Sequence, residues 1–132
     1  MKLEVKNLSF GYKKGHTLWE NVSFSVNQGD IFSILGANGA GKSTLLRSLI
    51  GFLYPQQGSV ELVDDEGNIR NAFETGSGFT QHIGYVPQIS DTAYSFALKD
   101  YVLLGKAPHL GLFQSPSKQD GEEAEAIMAD MG

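Results

Sequence analysis

The chain has 132 residues, which is enough for one compact domain with a hydrophobic core and too few for two. Its net charge of −5 argues against a general nucleic-acid binder, because such proteins usually carry a basic face. There is no cysteine, which excludes disulfides, thiolate metal sites and cysteine nucleophiles. The longest apolar stretch, 45–54, is too short to span a bilayer, so we expect any membrane role to come through a partner chain.

The first third of the chain is predicted to contain three strands and a helix. Residues 3–12 and 22–26 alternate between apolar and polar side chains, as half-buried strands do. The nearly continuous apolar run 31–35 predicts a strand covered on both faces. After a glycine-rich loop, the apolar residues of 45–50 recur at helical spacing, which predicts a helix that ends near Gly51.

The rest of the chain is predicted to contain a hairpin, a short strand and two helices. Residues 58–72 alternate around an acidic turn and predict the hairpin, and residues 83–86 predict the short strand. Residues 98–104 predict a helix, followed by an irregular connection over 105–116. The last helix is predicted to begin after Ser117, an N-cap residue with an acidic residue three positions later and an apolar face at helical spacing.

The glycine-rich loop fits the phosphate-binding pattern G-x-x-x-x-G-K-[ST] and lies between a predicted buried strand and a predicted helix. Glycines let successive backbone N–H groups turn inward around an anion, and the helix adds its unpaired amides. The Lys42 ammonium can reach the β and γ phosphates, the Ser43 hydroxyl can ligate Mg²⁺, and Thr44 can reach the α phosphate. The predicted nucleotide-binding residues of the loop are Gly36, Ala37, Asn38, Gly39, Ala40, Gly41, Lys42, Ser43 and Thr44.

This loop and two further motifs resemble the ATP-binding subunit of ABC transporters. The sequence GANGAGKSTLL is close to the family's usual GPNGAGKSTLL, residues 8–12 (LSFGY) look like its opening strand, and residues 84–88 (GYVPQ) look like its Q-loop. The resemblance implies that ATP and Mg²⁺ are the cofactors and that Tyr12 stacks on the adenine. It also implies that Gln88 contacts Mg²⁺ or the attacking water and couples the site to a transmembrane partner.

A further stretch, 100–113, is similar to importers of iron–siderophore, haem or cobalamin. The resemblance therefore implies an energising subunit that is cytoplasmic and peripheral on the inner face of the cell membrane. Its expected partners are a transmembrane permease subunit and a second ATP-binding subunit, and no nucleic acid is expected to bind.

The resemblance covers essentially all of this chain but only the first part of the family's domain. It implies an α/β phosphate-loop NTPase fold of the ABC ATPase kind, incomplete at the C-terminus. An antiparallel β subdomain is expected from residues 1–30 and 57–85, the phosphate-loop strand and helix from 31–53, and the start of a helical subdomain from about 89–132. The sequence contains no LSGGQ-like signature and no Walker B strand with its general base. We therefore expect no catalytic residue here and no hydrolysis by this chain alone.

Three other functions compete with this interpretation. A GTPase would use the D-x-x-G match at 64–67, but this begins only 21 residues after Ser43, which leaves little room for the intervening elements. A non-catalytic nucleotide-binding fragment fits the missing catalytic motifs. A soluble ABC-type ATPase without a membrane partner is the third alternative, and the importer-like stretch within 101–113 argues against it.

Overall fold

The computed structural model describes residues 1–13, 15–76, 78–88, 97–111 and 114–132. The chain forms two compact units, Met1–Tyr85 and Val86–Gly132. Residues 89–96, at the start of the expected helical subdomain, and residues 112–113, within the importer-like stretch, lie outside the described residues.

An antiparallel four-stranded sheet forms the framework of the first unit. Its strands are β1 (Lys2–Phe10), β2 (Trp19–Asn27), β3 (Gln57–Val63) and β4 (Ile69–Asn71). They are ordered β2-β1-β3-β4, so β1 pairs with both β2 and β3. The two strands predicted near the start of the chain and the hairpin predicted over 58–72 are therefore confirmed.

The core of this unit lies between one face of the sheet and the helix α1 (Lys42–Leu49). Side chains from β1 and β3, together with Leu49 of α1 and Phe79, form one buried cluster; the sheet residues are Val5, Leu8, Val60 and Leu62. The helix ends at Leu49, and Gly51, two residues later, has a left-handed φ of 82°. Gly51 lies so close to the carbonyl oxygen of Ala72 that a Cβ would be 2.7 Å from it. The predicted helix and its end are both confirmed.

The predictions of a strand over 31–35 and over 83–86 were wrong, because neither segment forms a strand. A strand requires a neighbour for its backbone hydrogen bonds, and within the described residues no segment pairs with either one. In the first segment Ile34 packs against the core and Phe32 stacks on Phe24 with ring centroids 4.6 Å apart. Ile31 and Leu35 are 97% and 90% exposed.

The second unit contains α2 (Leu98–Leu103), a 3₁₀ helix over Leu104–His109 and α3 (Lys118–Met131). The predicted irregular connection over 105–116 is thus partly helical. Ser117 caps α3 in a capping box with Asp120: its hydroxyl accepts from the Asp120 N–H, and the Asp120 carboxylate accepts from the Ser117 N–H. No helix in the described ranges is both long and apolar enough to cross a membrane.

Lysine side chains from the helical stretch 98–109 hold α3 in place by ion pairs. Lys106 Nζ lies 2.5 Å from Glu123 Oε2 and 3.3 Å from Asp120 Oδ1, and Lys99 Nζ lies 2.5 Å from Glu125 Oε1. Hydrogen bonding to Glu123 and then to Asp120 raises the pKa of Lys106 above its ordinary value. Because these ion pairs are largely exposed to solvent, each contributes little to the free energy of unfolding.

A second set of ion pairs joins β1 to β3 on the polar face of the sheet. Glu4 and Glu61 are directly opposite each other, which would be unfavourable for two like charges without a cation. Lys6 Nζ bridges them at 2.9 Å and 2.8 Å, and Lys2 Nζ lies 2.6 Å from Glu4. Hydrogen bonds from Lys2 and then Lys6 lower the pKa of Glu4 from 4.5 to about 2.

The variant Glu4→Gln tests this cluster through its pH dependence. Because the pKa of Glu4 is lower in the folded chain than in the unfolded chain, its stabilisation is complete above about pH 4.5 and is lost as the pH falls through about 2. We expect the difference in free energy of unfolding between wild type and variant to be largest at neutral pH and to approach zero near pH 2. Urea unfolding followed by Trp19 fluorescence measures it. A difference independent of pH would contradict the assignment.

Candidate nucleotide-binding site

The phosphate loop turns sharply before α1, with glycines at the positions that need a left-handed backbone. Gly39 and Gly41 have φ values of 81° and 89°, which other residues adopt only with strain. The Ala40 N–H donates to the Ala37 carbonyl at 3.2 Å, which closes a turn within the loop. The first turn of α1 carries no acidic side chain. Its first backbone N–H groups have no partner within the helix, so the loop and helix offer donors to an anion.

Lys42 directs its ammonium back across the loop. Its Nζ donates to the carbonyl oxygens of Gly36 and Ala37, both at 2.8 Å. These contacts hold the only side-chain cation of the loop at the loop itself rather than in solvent. A polyphosphate would offer this ammonium charged acceptors in place of neutral carbonyls, and such hydrogen bonds are stronger.

The structure brings together Tyr12 and Thr44, which are 32 positions apart and which the sequence assigned to different parts of a nucleotide. The Tyr12 hydroxyl and Thr44 Oγ1 are 2.9 Å apart and hydrogen-bonded. Thr44 is buried, with 8% of its surface exposed, whereas Tyr12 is 68% exposed. The ring of Tyr12 therefore remains open to a planar ligand while its hydroxyl contacts the phosphate-loop helix.

Three residues that the sequence analysis did not single out support this arrangement. Phe10 packs edge-to-face on Tyr12 and stacks on Trp19, with ring centroids 5.0 Å and 5.6 Å apart. Leu18 and Trp19 pack against Gly41 so closely that a Cβ there would lie 2.7 Å from Leu18 Cδ2. Because Trp19 is the partner of Phe10 across β1 and β2, a cross-strand pairing argument could have found this pair.

Trp19 is held by its ring rather than by its polar atom. Its indole Nε1 is buried and has no hydrogen-bond partner among the described residues. A buried donor without an acceptor is unfavourable, so the packing of the indole on Phe10 and Gly41 must outweigh that cost.

The two predicted magnesium-contacting residues lie in different units. Ser43 is exposed on the first turn of α1, beside the loop. Gln88 is exposed in the second unit, and its role in the Q-loop stays a prediction. Within the described ranges no group of three or more His, Cys, Asp or Glu side chains could hold a metal ion. A Mg²⁺ ion at this loop would fit a hydroxyl together with phosphate oxygens and water, which are ligands that it prefers.

A glycine-rich turn that leads into a helix headed by lysine and serine defines a phosphate-loop protein. The sequence pattern of the ABC transporter family matches residues 19–132. The chain therefore belongs to the ABC transporter family, and the fold expected from the resemblance is confirmed, with likeness to solved structures of that family.

Known relatives share this family and differ in cargo. The probable iron chelatin transport ATP-binding protein of Helicobacter pylori is 39% identical over 129 residues, which cover 97% of this chain and 49% of the relative. The molybdate import ATP-binding protein MolC of Haemophilus influenzae is 35% identical over 122 residues, which cover 92% of this chain and 42% of the relative. A solved structure described as an inward-facing conformation of a putative metal-chelate type ABC transporter is 32% identical in sequence, with a TM-score of 0.73. The match covers 98% of this chain and 45% of the chain in that structure. The chain thus spans about half the length of the relatives it matches.

The variant Gly41→Ala tests the contact of the phosphate loop with Leu18, which precedes β2, and with Trp19, the first residue of β2. Alanine would adopt an unfavourable left-handed conformation and would also clash with Leu18. We expect the free energy of unfolding to fall by more than the roughly 1–2 kcal/mol that the left-handed backbone alone costs, and ATP affinity to fall with it. Thermal unfolding and a nucleotide titration measure the two effects.

Gly67→Ala is the matched control for this variant. Gly67 has a similar φ of 86°, and a Cβ there would meet no atom within 4 Å. It should show the backbone strain alone and bind ATP as wild type does. Equal stability losses in the two variants would mean that the contact with Leu18 does not hold the loop.

Proposed function

We propose that this chain binds ATP with Mg²⁺ and supplies the nucleotide-binding part of the energising subunit of an ABC importer. The observation that carries the proposal is the phosphate loop itself, in which Gly39 and Gly41 have left-handed backbones and Lys42 lies across the loop. Such a loop offers backbone donors and one cation to a polyphosphate at the positive end of a helix. Membership of the ABC transporter family supports ATP as the nucleotide.

Each residue of the proposed site has a distinct task. The backbone from Gly36 to Gly41 surrounds the phosphates, Lys42 neutralises the β and γ phosphates, and Thr44 reaches the α phosphate. The exposed ring of Tyr12 stacks on the adenine, an interaction worth about 1–3 kcal/mol in comparable sites. Because stacking uses the face of a base rather than its edges, we expect Tyr12 to discriminate little between ATP and GTP.

Magnesium has its proposed protein contacts at Ser43 and Gln88. When bound, it would neutralise developing charge on the phosphates. The residues of this chain bind and orient the nucleotide, and the group that activates water is proposed to lie outside these 132 residues. We therefore propose that the chain alone does not hydrolyse ATP, because stabilising the transition state requires several donors placed together.

The cargo is proposed to be a metal chelate such as an iron–siderophore complex, haem or cobalamin. Relatives assigned to iron chelatin transport and to the metal-chelate type of ABC transporter support this class. A relative that imports molybdate is nearly as similar, so the nucleotide-binding part distinguishes cargoes poorly. The proposed partners are a transmembrane permease, which places the subunit on the inner face of the membrane, and a second ATP-binding subunit.

The variant Lys42→Ala tests the nucleotide site. It removes the only side-chain cation of the loop, so ATP affinity should fall by about tenfold or more, or about 1.4 kcal/mol at least. Lys118→Ala is the matched control, because Lys118 is 94% exposed on α3 and pairs only weakly, at 3.8 Å, with Glu122. A direct binding titration in which both variants match wild type would refute the site.

Uptake assays test the importer. Cells that lack the gene should regain uptake of a metal chelate when they receive the wild-type gene or Lys118→Ala, but not when they receive Lys42→Ala. An integral membrane permease should co-purify with the intact protein. Restored uptake of molybdate alone would overturn the proposed cargo, and a nucleotide-binding protein that co-purifies with no membrane protein would favour the soluble ATPase.

A further inference from the structure

The hydroxyl of Tyr12 has a partner that a base-stacking role does not require. Stacking on adenine needs only the ring, and a phenylalanine would supply it. In the structure the hydroxyl is 2.9 Å from Thr44 Oγ1, in the first turn of the helix α1. Phe10 packs on the Tyr12 ring from the sheet and is itself stacked on Trp19, so the ring that carries the hydroxyl has a packed neighbour.

The chemistry of a bound phosphate fixes the direction of this hydrogen bond. Each hydroxyl has one proton to donate and can also accept. A phosphate oxygen at neutral pH mainly accepts, so Thr44 must give its only proton to the phosphate if it contacts one. Its bond with Tyr12 can then persist only if the Tyr12 hydroxyl donates and the Thr44 oxygen accepts. The resulting chain runs from the Tyr12 hydroxyl to Thr44 and from Thr44 to the phosphate.

The surroundings of Thr44 make this donor important. Only 8% of the Thr44 surface is exposed, and among the described contacts its side chain bonds only to Tyr12. Without that donor, the hydroxyl could rotate and give its proton to a nearby acceptor such as the carbonyl one helical turn earlier, as threonines in helices do. Hydrogen bonds arranged in a chain also strengthen one another.

We propose that Tyr12 has two separable roles: its ring stacks on the base, and its hydroxyl is a positioning group that orients the Thr44 hydroxyl toward the phosphate. This inference rests on the proposed function, because it assumes that a polyphosphate binds at this loop. It adds a task for Tyr12 in phosphate binding that does not depend on the base.

Inorganic tripolyphosphate with Mg²⁺ separates the two roles, because it carries phosphates and no base. In the intact protein, Tyr12→Phe should weaken tripolyphosphate and ATP by the same factor, about two- to tenfold, as expected for one hydrogen bond. Tyr12→Ala should weaken tripolyphosphate no further than Tyr12→Phe does. It should weaken ATP further, because stacking is then lost as well.

A double-mutant cycle shows whether the effect passes through Thr44. In a Thr44→Val background, Tyr12→Phe should have no further effect on tripolyphosphate. In a Thr44→Ser background, which keeps the hydroxyl, the full effect of Tyr12→Phe should return. Thermal unfolding of each variant confirms that the fold is intact, and Tyr12 is exposed enough for its variants to fold.

The outcomes distinguish this inference from the proposed function. If wild type binds ATP while Tyr12→Phe binds tripolyphosphate as wild type does, or more tightly, the positioning role is wrong and the proposed function stands. An effect of Tyr12→Phe that persists in full in the Thr44→Val background also overturns the positioning role. If wild type binds neither ATP nor tripolyphosphate, both proposals fail.

Discussion

The close packing of Leu18 and Trp19 on Gly41 determines where the phosphate loop lies relative to the sheet. A Cβ atom at this position would lie 2.7 Å from Leu18 Cδ2, so Leu18 would have to move, and the backbone has a φ of 89° that favours glycine. The same indole stacks on Phe10 across the pairing of β1 with β2. The loop therefore contacts the sheet at Gly41 through Leu18 and Trp19, close to where Tyr12 meets Thr44.

This attachment explains how two residues of the candidate site, far apart in the sequence, come together. Tyr12 follows the end of β1, and Thr44 lies in the first turn of α1. Their hydroxyl groups meet because Phe10 supports the ring of Tyr12 while Gly41 holds the start of the helix against β2. The two side chains thus meet between the end of a sheet strand and the first turn of a helix. The loop between Gly36 and Gly41 contributes mainly backbone donors and the turn that directs them.

The sequence predicted those features that depend on local signals. The hairpin over 58–72, the helix that ends near Gly51 and the cap at Ser117 follow from alternation, glycine conformation and side-chain capping, which neighbouring residues determine. The strand predicted over 31–35 failed because strand formation depends on a paired neighbour, which an apolar run cannot supply.

The candidate site, like the fold, could be predicted from the sequence only where local patterns encode it. The phosphate-loop pattern predicts its residues from the chemistry of phosphate binding, and their roles in binding stay predictions. The bond between Tyr12 and Thr44 joins residues 32 positions apart, and no local pattern encodes it. The contact of Leu18 with Gly41 depends likewise on how β2 packs, which sequence spacing does not determine.

The residues that precede the phosphate loop are less well packed than the residues at its helical end. On the helical side, Gly41 is packed against β2. On the other side, the segment 31–35 is held by Ile34 in the core and by Phe32 on Phe24, while Ile31 and Leu35 are exposed. Covering two such side chains would contribute roughly 1.5–3 kcal/mol each, a large fraction of the 5–15 kcal/mol that stabilises a typical domain. The stability of this side of the loop therefore depends on whether Ile31 and Leu35 are exposed or covered, whereas the helical side is already packed.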